Sequence, residues 1–182
     1  MSKRCRSILM IALVAAVIIL ADQYTKRWVR GAIPVNTSYM PVAWLEPIVT
    51  LTHVENHGAA FGLFQGLGGT FAIVAVVVVA GIAWYVWRYP QLPCLAVTSF
   101  GLMAGGALGN LIDRLFRDGV VTDFVDLRWW PVFNVADSCL VIGAILLTVY
   151  TLFIEGRTKA VSENKSAADG DAVNDGSLGD GA

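Results

Sequence analysis

Charged side chains are scarce in this chain of 182 residues, where they make up 15% of the total. A soluble domain carries roughly 25% charged residues. Hydrophobic residues make up 56%, and the shortage of charged residues is concentrated in several long runs that contain none. We therefore expect a membrane protein, and the net charge of -1 gives no sign of nucleic-acid binding.

Residues that build disulfides, metal sites and nucleophilic triads are also few. The three cysteines have no paired spacing, which favours small buried hydrophobes: Cys5, Cys94 and Cys139. His53 and His57 flank Glu55 in a spacing that matches no zinc-peptidase motif, so we expect exposed loop histidines, no metal and no cofactor. The sequence also has no Gly-x-Ser-x-Gly motif and no phosphate-binding glycine loop.

Four stretches are apolar and approach the length of about 20 residues that a helix needs to cross a bilayer. They cover about residues 8–28, 67–87, 92–112 and 133–154. Tryptophans and tyrosines cluster near their ends, as in an interfacial belt. The first stretch has the basic start of a signal peptide, but Leu20-Ala21-Asp22 is a poor cleavage site. We therefore expect an all-α membrane protein with four retained transmembrane helices.

The connections and ends of the chain suggest its orientation and its domains. Basic residues at the start favour a cytoplasmic N-terminus, and four spans return the C-terminus to the same side. Residues 48–54 are β-branched and partly alternating, which predicts a strand, and a second short strand is predicted at 120–125. Residues 156–182 are rich in small and polar types, so we expect a disordered cytoplasmic tail after a membrane-embedded domain at 1–155.

Small residues on the third span predict close packing against another helix. Gly101, Gly105 and Gly109 recur at every fourth position, forming two overlapping GxxxG motifs. Such glycines let a neighbouring backbone approach closely. The same face would bring the polar end of this helix near another span.

The unusual polar residues fall near one membrane face: Asp22, Asn56, Asn110, Asp113, Arg114, Asp123, Asp126, Asn134 and Asp137. A carboxylate at the bilayer centre costs about 2.5–3.5 kcal/mol, so an ionisable residue there is a functional hypothesis. For Asp22 and Asp113 the preferred interpretation is an interfacial charge, and for Asp113 an ion pair with Arg114. Asp137 lies within an apolar run on the same helix face as Asn134, which favours a function.

Two neighbouring carboxylates can share one proton, so that one activates water while the other protonates an amide. Asp123 and Asp137 suit these roles, although the sequence leaves open which is the base and which the acid. Two alternatives stay open at this point. A proton- or ion-coupled transporter predicts an internal repeat, which the sequence lacks. The second alternative, an assembly protein that uses the glycine face, does not account for Asn110, Asn134 and Asp137.

Five motifs occur in a family order: residues 22–26 (DQYTK), 56–61 (NHGAAF), 105–114 (GGALGNLIDR), 121–124 (VTDF) and 133–137 (FNVAD). With these motifs the chain resembles bacterial lipoprotein signal peptidase, also called signal peptidase II. The resemblance covers essentially all of the chain before the tail. It implies four transmembrane helices with a small extracytoplasmic β-cradle, which we expect within residues 31–66.

The resemblance also implies an activity and a set of site residues. The activity is that of an inner-membrane aspartic endopeptidase that cuts prolipoproteins before the diacylglyceryl-modified cysteine of the lipobox. The implied roles are catalysis for Asp123 and Asp137, substrate binding or support of this pair for Asn56, Gly58, Asn110, Arg114 and Asn134, and structure for Asp22, Lys26 and Asp113. The implied partners are prolipoprotein substrates and membrane lipid. We further expect a monomer with a functional link to the lipoprotein diacylglyceryl transferase and N-acyltransferase.

Overall fold

The computed structural model describes residues 3–58, 68–89 and 91–155, so the expected tail at 156–182 lies outside the described residues. Among these described residues, four helices are long and apolar enough to cross a membrane. Their bounds are α1 (Lys3–Ala32), α2 (Gly68–Arg88), α3 (Cys94–Phe116) and α4 (Val135–Val149), the last continuing as a π-helical turn over Tyr150–Glu155. The predicted four-helix fold class is confirmed.

Two helices extend beyond the apolar runs that predicted them. Helix α1 continues four residues past 28 to Ala32, and α3 continues four residues past 112 to Phe116. Lys26 and Asp113 lie near these ends and are buried in ion pairs, which permits charge inside a packed helix. Helix α4 begins at Val135, two residues after the predicted start, because Asn134 is its N-cap.

The β-cradle is one antiparallel sheet of three strands in the order β1-β2-β3. Its strands are β1 (Ser38–Tyr39), β2 (Thr50–Asn56) and β3 (Val121–Asp126). The expectation that the cradle lies within 31–66 is therefore incomplete, because β3 comes from the connection between α3 and α4. Pairing between strands so distant in sequence leaves no local signal.

The strand predicted at 48–54 begins later than its β-branched composition suggested. The backbone amides of Ile48 and Val49 both donate to the carbonyl oxygen of Leu45, which keeps them in the turn that follows a short 3-10 helix. Strand β2 consequently starts at Thr50 and runs to Asn56. The second strand is displaced by one residue from the predicted 120–125.

Helix α3 lies at the centre of the bundle and contacts the other three helices. A Cβ atom at Gly101 would lie 2.7 Å from the Val14 side chain, and one at Gly105 would lie 2.8 Å from that of Ile18. A Cβ at Gly109 would meet Asp22 at 2.8 Å. The predicted glycine face is thus confirmed as the surface on which α1 packs.

Candidate active site

Asn134 and Asp137 form a capping box at the start of α4. The Asn134 side-chain oxygen accepts a hydrogen bond from the Asp137 backbone amide at 2.9 Å. In return, Asp137 Oδ2 accepts one from the Asn134 backbone amide at 3.2 Å. An asparagine cap followed by an acidic residue three positions later favours this geometry. The box holds the Asp137 carboxylate at the head of the helix.

Asp123 lies in the middle of β3 and is 2% exposed. Its Oδ1 accepts a hydrogen bond from Asn134 Nδ2 at 2.6 Å, and its Oδ2 accepts one from Asn56 Nδ2 at 2.9 Å. The Asn56 side-chain oxygen in turn accepts from the Gly58 backbone amide at 2.9 Å. Asn56 and Gly58, both predicted site residues, therefore support Asp123 together.

Asn134 brings the two aspartates together, whereas the sequence spacing predicted only that it shares a helix face with Asp137. Its backbone and side-chain oxygen hold Asp137, while its side-chain nitrogen holds Asp123. Asn110 completes the arrangement, since its Nδ2 donates to Asp137 Oδ1 at 2.7 Å. Its own Oδ1 accepts from Asn134 Nδ2 at 3.0 Å. The side-chain partners of both carboxylates are amides, among the described residues.

The environment of Asp123 favours its protonated form. Burial, followed by the nearby negative charge of Asp137, raises the pKa of Asp123 to about 7. The hydrogen bonds from Asn56 and Asn134 act in the opposite direction and are weaker. A carboxyl group that titrates near neutral pH is suited to general acid–base catalysis. The pair can therefore hold one proton between its two members.

Arg114 is close to the carboxylates but makes few direct contacts. Its Nη1 donates weakly to the Asn110 carbonyl oxygen at 3.4 Å, and its guanidinium lies 5.5 Å from the Phe71 ring centroid. Its Nε is buried without a hydrogen-bond partner among the described residues. A donor left free in this way is available to a substrate.

A second group of charges lies beside the site and is fully enclosed. Lys26 Nζ is 2.8 Å from Asp22 Oδ2 and 3.3 Å from Asp113 Oδ2. Asp22 Oδ1 accepts from the Ala136 backbone amide, and Asp113 Oδ2 accepts from the Thr122 backbone amide. These contacts join α1 to α3, β3 and α4. The expected pairing of Asp113 with Arg114 is wrong, because Asp113 points across the bundle toward α1.

Sequence reasoning did not single out several residues around this group. Gln23 Nε2 donates to the Gly109 carbonyl oxygen at 3.0 Å and to Asp113 Oδ1 at 3.2 Å. The Thr122 hydroxyl accepts from Arg30 and Arg117. Gln23 and Thr122 stand inside two of the family motifs, which was the signal that could have found them.

One histidine differs from its expected environment. His57 is exposed, as expected for a loop residue, but His53 is buried on β2. Its Nδ1 is 2.7 Å from the Ile33 carbonyl oxygen, so the ring is enclosed where the sheet meets the end of α1. The expectation of two exposed histidines is therefore wrong for His53.

Asp137 also borders an apolar groove with a volume of about 350 Å³. The groove is lined by side chains from the connection after β3 and from α4: Leu127, Trp129, Trp130, Phe133, Asp137, Ser138, Val141 and Ile142. The carboxylate of Asp137 forms part of this otherwise mostly apolar lining. One member of the pair can thus be reached from an apolar surface.

Four membrane helices and a small sheet, which together hold two aspartates through side-chain amides, have the architecture of a polytopic membrane hydrolase. The family model of signal peptidase (SPase) II matches residues 14–153. The chain therefore belongs to the signal peptidase II family, as its motifs indicated. The transporter and assembly-protein alternatives are set aside.

Individual relatives agree with this assignment. A lipoprotein signal peptidase of Syntrophomonas wolfei is 46% identical over 135 residues, covering 74% of this chain and 87% of the relative. One of Anoxybacillus flavithermus is 39% identical over 166 residues, covering 89% and 96%.

The fold is likewise shared with solved structures. A bacterial membrane enzyme solved by the in meso method at 2.3 Å resolution is similar, with a TM-score of 0.72 and 29% identity. The match covers 78% of this chain and 87% of that chain. Another structure, at 1.9 Å resolution, has a TM-score of 0.70 and 29% identity, covering 79% and 93%.

Proposed function

We propose that this chain removes the signal peptide from diacylglyceryl-modified prolipoproteins by cutting before the lipidated cysteine, with Asp123 and Asp137 as its catalytic residues. The observation that carries the proposal is the bridge through Asn134, which contacts both carboxylates within a member of the signal peptidase II family. This geometry lets two acids work on one peptide bond.

The reaction follows from a pair that holds one proton. The ionised carboxylate takes a proton from water as the water oxygen bonds to the scissile carbonyl carbon, and the protonated member gives its proton to the carbonyl oxygen. When the carbon–nitrogen bond breaks, the leaving nitrogen receives a proton from the pair, and one hydroxyl of the tetrahedral intermediate returns a proton to the pair as the new carbonyl forms. The products are a carboxylic acid and an amine, and the pair is again singly protonated. The route needs neither a metal ion nor a covalent intermediate.

The surrounding polar residues support this chemistry in different ways. Asn134 and Asn110 hold the carboxylates at fixed positions, and Asn56 with Gly58 supports Asp123. The free Nε of Arg114 orients the substrate backbone or the developing charge on the carbonyl oxygen. Fixed donors of this kind accelerate a reaction by positioning it in advance.

The apolar groove next to Asp137 suits a lipid-modified substrate. Its tryptophans and aliphatic side chains form a surface for an acyl chain or for apolar lipobox residues. Membrane lipid would hold the same substrate by its diacylglyceryl group, so that the scissile bond reaches the depth of Asp137. The groove and the carboxylate would then act on neighbouring parts of one molecule.

The topology proposed here places the active site near the extracytoplasmic face of the inner membrane. The basic start of α1 and Arg88 at the end of α2 support cytoplasmic termini, by the positive-inside rule. The membrane-embedded domain then comprises residues 1–155, and residues 156–182 form a cytoplasmic tail. We propose that the enzyme works as a monomer.

The reaction also has a place in a sequence of modifications. The substrate must first receive its diacylglyceryl group, which is the work of a diacylglyceryl transferase. Cleavage before the modified cysteine releases a free α-amino group, and an N-acyltransferase can then acylate that group. This order is the proposed functional link to those two enzymes.

The test is cleavage of one prolipoprotein by the purified full chain, with the substrate either carrying the diacylglyceryl group or lacking it. We expect only the modified substrate to be cut, with the lipidated cysteine as the new N-terminus in mass spectrometry. A chelator should leave the rate unchanged. Equal cutting of both substrates would contradict the proposed specificity, and loss of activity with the chelator would contradict the mechanism.

A further inference from the structure

Lys26 is a buried cation whose contacts reach beyond its ion pairs. Its side chain is fully buried, and its Nζ contacts Asp22 and Asp113 at 2.8 and 3.3 Å. It also donates to Asn110 Oδ1 at 2.8 Å. A lysine ammonium has three hydrogens to donate and nothing to accept with. Here each hydrogen has one acceptor, and one of the three belongs to the active site.

The contact with Asn110 decides which way that amide faces. An asparagine amide can turn over, exchanging oxygen and nitrogen, with almost no change in shape. Because Lys26 can only donate, it requires the oxygen of Asn110 on its own side. The nitrogen must then face Asp137, to which it donates at 2.7 Å. Asn134 Nδ2 supports the same orientation from a longer distance of 3.0 Å.

We propose that Lys26 is a positioning residue for the peptidase reaction, which orients Asn110 toward Asp137 and sets the protonation of the Asp123–Asp137 pair. The inference rests on the proposed function and adds a residue that acts on the carboxylates through another side chain. A hydrogen bond donated to a carboxylate favours its charged form. Turned over, Asn110 would instead present an oxygen to Asp137 and favour a protonated carboxyl.

The charge of Lys26 acts in the same direction as its hydrogen bond. The ammonium lowers the pKa of Asp123, against the larger effect of burial. Other charged or titratable groups near the pair, or near the groups that contact it, come from α1, α3, β2, α4 and the connection before β3: Asp22, Arg30, Glu55, Asp113, Arg114, Arg117 and Cys139. Without Lys26, the charges of Asp22 and Asp113 would lose their main counter-ion. They would then disfavour ionisation of the neighbouring Asp123–Asp137 pair.

The test is the pH dependence of kcat/KM for cleavage of the lipid-modified prolipoprotein, which reports the ionisation of the free enzyme. Lys26→Met removes both the donor and the charge. In this variant we expect the acidic limb of the pH profile, where kcat/KM falls as pH is lowered, to move to higher pH by about one unit. We also expect kcat/KM per folded enzyme to be reduced roughly tenfold to hundredfold. Lys26→Gln keeps a donor without the charge, so we expect a smaller shift in the same direction and a smaller loss of rate.

Asp22→Asn is the matched control, because it breaks the 2.8 Å ion pair but leaves Lys26 in contact with Asn110 and Asp113. We expect its acidic limb to stay in place or move to lower pH, since a negative charge is lost. If the Lys26 variants keep the wild-type limb and lose activity only with the amount of folded enzyme, Lys26 is purely structural. Equal upward shifts in Lys26 and Asp22 variants would also overturn the proposal. Absence of cleavage by the wild type would instead refute the proposed function.

Discussion

Two pairs of aspartates lie side by side in this protein, and they differ in the partners that they bind. Asp22 and Asp113 enclose the Lys26 ammonium and are fully buried, so we call them the closed pair. Asp123 and Asp137 receive side-chain hydrogen bonds from asparagine amides, and Asp137 borders a groove, so we call them the open pair. Asn110 contacts both Lys26 and Asp137 and therefore joins the two pairs.

The difference shows how one membrane face can hold four carboxylates with separate tasks. A carboxylate that contacts an ammonium has its charge compensated and its position fixed, which suits a structural element. A carboxylate held by neutral amides is positioned without compensation of its charge, so it can still gain and lose a proton. The kind of partner, more than the depth of burial, separates the two tasks.

The largest expected effect comes from removing the acid–base function of the open pair. Asp123→Asn and Asp137→Asn keep the side-chain shape, and each should lower the cleavage rate by about 10²- to 10⁴-fold or more. Gel mobility of the lipid-modified prolipoprotein measures the rate. The matched control is Asp126→Asn on the same strand, because Asp126 contacts Thr52 and the Arg128 backbone instead of the pair. Full activity in either open-pair variant would exclude the proposed mechanism.

Breaking the closed pair should instead affect stability. Asp22→Ala leaves Lys26 with one carboxylate and leaves the Ala136 amide without its acceptor. Removing one member of a buried ion pair costs about 3–5 kcal/mol, so we expect a clear fall in apparent Tm in detergent. Asp22→Asn, which can still accept from Ala136, should cost less. An unchanged Tm in Asp22→Ala would show that the closed pair is dispensable for the fold.

The pH dependence of stability should distinguish the pairs next. The folded-state pKa of Asp123 is about 7, above the ordinary value of 3.8. Below about pH 4 the group is protonated in both the folded and the unfolded chain, so it adds no pH dependence to stability. As pH rises from there to about 7, only the unfolded chain ionises readily, and the folded state is increasingly destabilised. The wild type should lose at most about 4 kcal/mol over this interval from this group. This contribution of Asp123 to the pH dependence of unfolding free energy should be absent in Asp123→Asn, as thermal unfolding at pH 5 and pH 8 can show. An identical change in stability between these pH values in both proteins would refute the assignment.

The smallest expected effect on stability is that of the cap between the open carboxylates. Asn134→Ala removes the N-cap of α4 and the bridge to Asp123. Loss of an N-cap costs about 0.5–2 kcal/mol. We expect this modest loss of stability together with a large loss of cleavage rate, since both carboxylates lose their common support. A variant with reduced Tm but normal rate would mean that the bridge has no catalytic importance.

The sequence predicted the four spans well, because long apolar runs are a local signal. It also predicted that Asp123 and Asp137 belong together, mainly through the family motifs. It did not predict the ion-pair partners of Asp113. These are Lys26 and Arg30 on α1, which lie 87 and 83 positions earlier in the sequence. Arg114, the sequence neighbour, was the natural but wrong choice.

The sheet and the buried histidine illustrate the same limit. Strand β3 was predicted as a strand, but its pairing with β2 across α2 and α3 depends on contacts that are distant in sequence. His53 was expected in an exposed loop, yet the end of α1 covers it through the Ile33 carbonyl. Local patterns indicate which residues form an element, whereas the partner of that element depends on the whole fold.

The most direct measurement of the central claim is infrared spectroscopy of the protein with isotope-labelled aspartate, read at a pH slightly below 7. A carboxyl group that carries a proton has a carbonyl band that a carboxylate lacks. We expect one such band in the wild type, lost in Asp123→Asn, weakened in Asp137→Asn and retained in Asp22→Asn. A band that persists in both open-pair variants and disappears in Asp22→Asn would place the proton on the closed pair and contradict this assignment.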